Sequence, residues 1–91
     1  MVGMIRVYDT VIPVDKIDSI QFRKYSNDGE IKIRTVGGRE YYVKTPILSE
    51  EEEEMIAKLI LNTKEYIDLG GLVKDVVKSR EVSIDGEHKH T

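Results

Sequence analysis

The side chains that could do chemistry are few. Glu50–Glu54 are five consecutive carboxylates, and His88 and His90 flank Lys89 near the C-terminus. A carboxylate cluster suggests a cation site, but consecutive helical residues splay about 100° apart and cannot converge on one ion. A helix N-terminal charge cluster is the expected reading. Two imidazoles at i,i+2 lack a third ligand at recognisable spacing, so no metal site is expected. There is no cysteine and no Gly-x-Ser-x-Gly. Asp15, Asp18 and Asp28 fall in turn-like segments, where aspartate serves the backbone. Gly37-Gly38 is not followed by the helix and lysine of a phosphate loop. The expectation is a protein with no catalytic residue, no cofactor and no bound metal.

Another set of residues suits binding. Arg23, Tyr25, Lys32, Arg34, Tyr42 and Lys44 alternate with apolar residues along three strand-like runs. On adjacent strands they would form a basic face carrying two tyrosines, with cations for phosphates and rings for bases. The competing reading is a solvated sheet face or a protein contact, since lysine and tyrosine commonly cover strands.

These residues need a scaffold. Met4–Tyr8 alternates, and Thr10–Val14 is β-branched but carries Pro13, which suits an edge strand or a bent connection. Ile17 and Ile20 are spaced for one helical turn, with Asp15 as its side-chain cap. Ile20–Tyr25, Glu30–Val36 and Arg39–Thr45 read as strands joined by turns at Ser26–Gly29 and Gly37-Gly38. A three-residue loop, Gly37–Arg39, with one glycine left-handed, would pair Ile33 with Val43 and Ile31 with Thr45. Ser49 with Glu52 forms a capping box. Met55, Ile56, Leu59, Ile60, Thr63, Tyr66 and Ile67 then continue at helical spacing until Gly70-Gly71. Leu72, Val73, Val76 and Val77 allow a short second helix, and Val82–Ile84 a last short strand.

The expected fold is α+β: a small antiparallel sheet of four or five strands, with one long amphipathic helix (Glu50–Leu69) on one face. Residues 1–84 make one domain, and 85–91 a flexible polar tail. The expected core is Ile20, Phe22, Ile31, Ile33, Tyr41, Val43, Met55, Ile56, Leu59, Ile60 and Ile67. Ala57 and Leu61 lie off the main apolar arc and mark a candidate oligomer contact.

The net charge of −3 is uneven. Residues 1–48 hold eight Lys/Arg and six Asp/Glu, and residues 49–91 hold six and eleven. An acidic second half argues against strong nucleic-acid binding by the whole surface. The N-terminal residues lack a signal-peptide pattern, and no apolar run reaches the ~20 residues needed to span a bilayer. A cytoplasmic protein without membrane insertion is expected.

The run from Val14 to Ile20, then Gly29 to Val43 with its Gly37-Gly38 hairpin, then an amphipathic helix, resembles the later part of short bacterial PH-like domains. It is also similar to the short flagellar FlbD-type proteins. The likeness spans residues 12–67 and rests on apolar spacing and turns. It implies a binding or assembly role and supplies no catalytic residue. The expected function is a small interaction or assembly module, self-associating or bound to a protein partner. The alternative is a nucleic-acid-binding regulator using the basic face.

Overall fold

The computed structural model describes the backbone over residues 2–89 and the side chains over residues 2–80. The elements are β1 (Met4–Val7), β2 (Thr10–Pro13), a 3-10 turn (Val14–Lys16), β3 (Ile17–Lys24), β4 (Gly29–Thr35), β5 (Glu40–Thr45), α1 (Glu50–Asn62), β6 (Tyr66–Asp68) and α2 (Leu69–Lys89).

The expected single sheet is two. One has the order β2-β1-β6 and the other β3-β4-β5, three strands each. All pairs are antiparallel except β1 with β6, which is parallel. β6 comes from sequence assigned to the end of the long helix, so that helix is really α1, of 13 residues. Tyr66 and Ile67 continue the helical spacing of α1 by coincidence. Both residues also favour strands, and the chain breaks first at Thr63, which is extended (φ −70°, ψ 144°). Thr63 Oγ1 accepts the Glu65 N–H (3.1 Å), and Glu65 C=O accepts the Met4 N–H (2.9 Å), starting the parallel ladder. The approach is close at Gly3, where a Cβ would lie 2.3 Å from the Thr63 carbonyl oxygen.

Gly70-Gly71 does not stop a helix but sits in the first turn of α2. Asp68 Oδ2 accepts the Gly71 N–H (3.1 Å), the bond an N-cap aspartate makes to the third helical residue. The α2 backbone runs through Val82–Ile84 and on to Lys89, so the expected last strand is helical. The side chains of residues 81–89, and all of His90 and Thr91, lie outside the described residues.

The two sheets and both helices share one core. It joins Ile5, Val7 and Ile12 to Ile31, Ile33 and Val43, with Ile56 and Ile60 from α1, Leu69, Val73 and Val76 from α2, and Leu48 before α1. Ile20, Phe22, Tyr41 and Ile67 pack against it partly buried. Met55 and Leu59 are corrections: they are 48% and 42% exposed. The buried side of α1 is Glu52, Ile56 and Ile60, so its apolar arc overshoots the core on one flank.

Two turns differ in detail. The β4–β5 loop has three residues as expected, but they are Val36–Gly38. Ile33 pairs with Tyr41 and Ile31 with Val43. The last loop residue of this arrangement must be left-handed. Gly38 can be, at φ 89°, whereas Arg39 would be strained there. The displacement is two residues in register, so each side chain keeps its face. The 3-10 turn forms, but Asp15 does not cap it. Its first residue, Val14, instead donates its N–H to Gly3 C=O (2.8 Å). A bulge at Asp18 then places Ile17 and Ile20 on the same side of β3.

Candidate functional site

The register brings the expected face together. Rows across β3, β4 and β5 read Arg23–Glu30–Lys44, Gln21–Lys32–Tyr42 and Ser19–Arg34–Glu40. Tyr25 and Asp28 close one end, joined by the Tyr25 N–H to Asp28 C=O bond (2.8 Å). All six expected residues therefore share the outer face of this sheet. So do three carboxylates. Lys32 Nζ lies 2.8 Å from Glu40 Oε2, and Lys44 Nζ 3.9 Å from Asp28 Oδ2. Tyr42 Oη donates to Glu40 Oε1 (2.9 Å), and Tyr25 Oη to Glu30 Oε2 (3.0 Å). Lys32 first, and then Tyr42, hold the Glu40 carboxyl below the usual range, and Glu40 pushes the Tyr42 phenol up. Four cations face three carboxylates, and both tyrosine hydroxyls are engaged. Glu30 and Glu40 have the same strand parity as Lys32 and Lys44, so the sequence already carried this signal.

Ala57 is half-buried, and Leu61, one helical turn on, is 54% exposed. Leu61 lines an open groove of about 450 Å³ together with Val2, Val14, Asp15 and Lys64. That groove adjoins a surface missed in the sequence. On the outer side of β2-β1-β6, Met4 pairs with Pro13 and with Tyr66. Val11 stands beside Arg6, and Val2 extends the Met4 side of β1. Val2, Met4, Val11 and Tyr66 are each 41–55% exposed. The charges on these three strands' outer face are Arg6 and Asp68, which are cross-strand neighbours. Arg6 Nε is held by the Tyr8 carbonyl (2.7 Å), and Asp68 caps α2. Tyr8 has φ 56°, the one non-glycine with positive φ among the described residues. The missed signal is the apolar character of Val2, Met4 and Val11 at positions alternating with Ile5, Val7 and Ile12.

Comparison with family models, curated proteins and solved structures gives no match.

The five glutamates separate as helical geometry requires. Glu54 pairs with Lys58 (2.8 Å), while Glu52 turns inward. Ser49 N–H donates to Glu52 Oε1 (2.8 Å) and Glu52 N–H to Ser49 Oγ (3.2 Å), completing the capping box. Arg80 of α2 clamps the same carboxylate, with Nε 2.9 Å from Oε2 and Nη2 on Oε1. Arg80, and secondarily Ser49, hold Glu52 below the usual carboxylate range. This carboxylate fastens α1 to α2. Among the described residues no three His, Asp or Glu side chains are grouped to hold a metal, and no helix is long and apolar enough to cross a membrane.

Proposed function

We propose that the protein is a small non-catalytic interaction module that self-associates and docks a protein partner on the outer face of β2-β1-β6. The observation that carries this reading is the exposure of Val2, Met4, Val11 and Tyr66 on one sheet face, with Leu61 in the adjoining groove. Isolated exposed apolar side chains are ordinary, but several gathered on one sheet face, with Arg6 and Asp68 as its charged pair, mark an interaction surface. The likeness to PH-like and FlbD-type patterns points the same way.

The second reading, single-stranded nucleic acid on the outer face of β3-β4-β5, has less support. Glu40 engages both Lys32 and Tyr42, the cation and ring that would meet phosphate and base.

The test compares tagged wild-type protein with a Met4→Glu/Val11→Lys variant in pull-downs from the native host. Both sites are exposed, so the fold should survive, as circular dichroism can check. A partner retained by the wild type and lost by the variant is the expected result. Identical partner sets from both proteins would remove this face from the account.

A further inference from the structure

We propose that β3 pairs edge to edge with β3 of a second copy, antiparallel about Gln21, to give a six-stranded sheet. This rests on the self-association half of the reading above and assigns its surface. β3 has eight residues and ends its sheet. The other sheet's edge strands are short: β2 has four residues with Pro13 at its end, and β6 has three. Long unprotected edges invite another strand. The centre of β3, Ser19-Ile20-Gln21-Phe22, is uncharged. Ile20 and Phe22 are only partly buried, whereas their partners in β4, Ile33 and Ile31, are fully buried. The core is open on the β3 side.

The main chain fixes which groups are free. Tyr25 N–H bonds to Asp28 C=O, making 25/28 a hydrogen-bonded pair. Alternation makes Arg23/Glu30 and Gln21/Lys32 hydrogen-bonded as well. The N–H and C=O groups of Ile20, Phe22 and Lys24 therefore point to the open edge. A two-fold axis at Gln21 puts Ile20 opposite Phe22 of the second copy, each positioned to exchange both bonds. Side-chain parity is preserved, so the two apolar rows stay on the core side. The same register keeps the two Arg23 residues apart, each opposite a Ser19 on the outer face. Moving the axis to Ile20 sets Phe22 against Asp18, and moving it to Phe22 sets Lys24 against Ile20. Of the three, only the Gln21 axis sets each central apolar residue opposite another apolar one. The outer face of β2-β1-β6 takes no part, so the dimer would present two copies of the partner surface.

The chain has no cysteine, so Gln21→Cys introduces a single thiol with no background. Facing residues of a non-hydrogen-bonded pair lie about 4.5 Å apart at Cα, within disulfide range. Gln21→Cys should oxidise to a covalent dimer about tenfold faster than Ser19→Cys or Arg23→Cys. In sedimentation equilibrium the wild type should dimerise in the micromolar range, as expected for a small interface. Ser19→Lys should weaken this about tenfold, because each introduced lysine then faces Arg23 of the second copy in both symmetric pairs. Adding Arg23→Asp to Ser19→Lys should restore dimerisation, because lysine and aspartate then face each other in both pairs. Equal oxidation rates at the three positions would overturn the register. A dimer that ignores Ser19→Lys but is lost in Met4→Glu/Val11→Lys would overturn the β3 assignment and keep self-association. A wild type monomeric at high micromolar concentration would overturn both, leaving partner docking to its own pull-down test.

Discussion

Breaking the Glu52–Arg80 clamp should release α2 from the start of α1. The informative experiment is a double-mutant cycle with Glu52→Gln and Arg80→Met. Glutamine can still accept the Ser49 N–H, so the capping box survives and the charge interaction alone is removed. A charge-assisted hydrogen bond contributes about 1.5–3 kcal/mol. The Glu52 side chain is only 11% exposed, but Arg80 is 44% exposed, so solvent screens part of the interaction. The expected coupling is then about 1–2 kcal/mol, a large share of the roughly 5 kcal/mol available to a small domain. Urea unfolding reads it as a midpoint shift of about 1–2 M, with m near 1 kcal/mol/M. Because Arg80 lowers the folded-state pKa of Glu52, this stability is present above the ordinary carboxylate value of 4.5. It is lost as pH falls below that value and through the depressed one. A coupling below about 0.3 kcal/mol at pH 7, or one unchanged between pH 5 and pH 2, would refute the clamp.

Three further outcomes are expected. Ile60→Ala should cost about 2–5 kcal/mol in denaturant melts, and the half-exposed Leu59→Ala less than about 1, although helical periodicity puts both on one apolar arc. Gly3→Ala should destabilise by about 1–3 kcal/mol, because its Cβ meets the Thr63 carbonyl oxygen; an unchanged melting temperature would show that β1 and β6 can separate freely. Single-stranded oligonucleotide at physiological salt should bind more weakly than micromolar in a fluorescence titration. Tight binding abolished by Lys32→Glu/Arg34→Glu would instead favour the nucleic-acid reading.

Legibility in the sequence followed the reach of each signal. The Ser49–Glu52 capping box spans only four residues and is legible within them. The face assignments of β3, β4 and β5 also held, since period two is local and survives a two-residue register error. β6 was illegible because Tyr66 and Ile67 satisfy helical spacing from α1 as well as strand alternation. Only the pairing of Ile67 with Ile5, 62 residues earlier, decides between them. The start of α2 was legible in principle, from Asp68 three residues before Gly71, but paired glycines are a stronger stop signal than one aspartate is a start. Whether Leu59 or Ile60 faces inward depends on where α2 lies, which periodicity does not encode. The outer face of β3-β4-β5 is less basic than its cations alone imply, because Glu30 and Glu40 lie in the same rows.

The most direct test of the interaction reading is photo-crosslinking in the native host. A benzophenone amino acid replaces Tyr66 on the apolar face or, in a parallel strain, Tyr42 on the charged face. A discrete protein adduct at position 66 and none at position 42 is the predicted result. An adduct only at position 42, or a nucleic-acid adduct there with position 66 unreacted, would contradict the account.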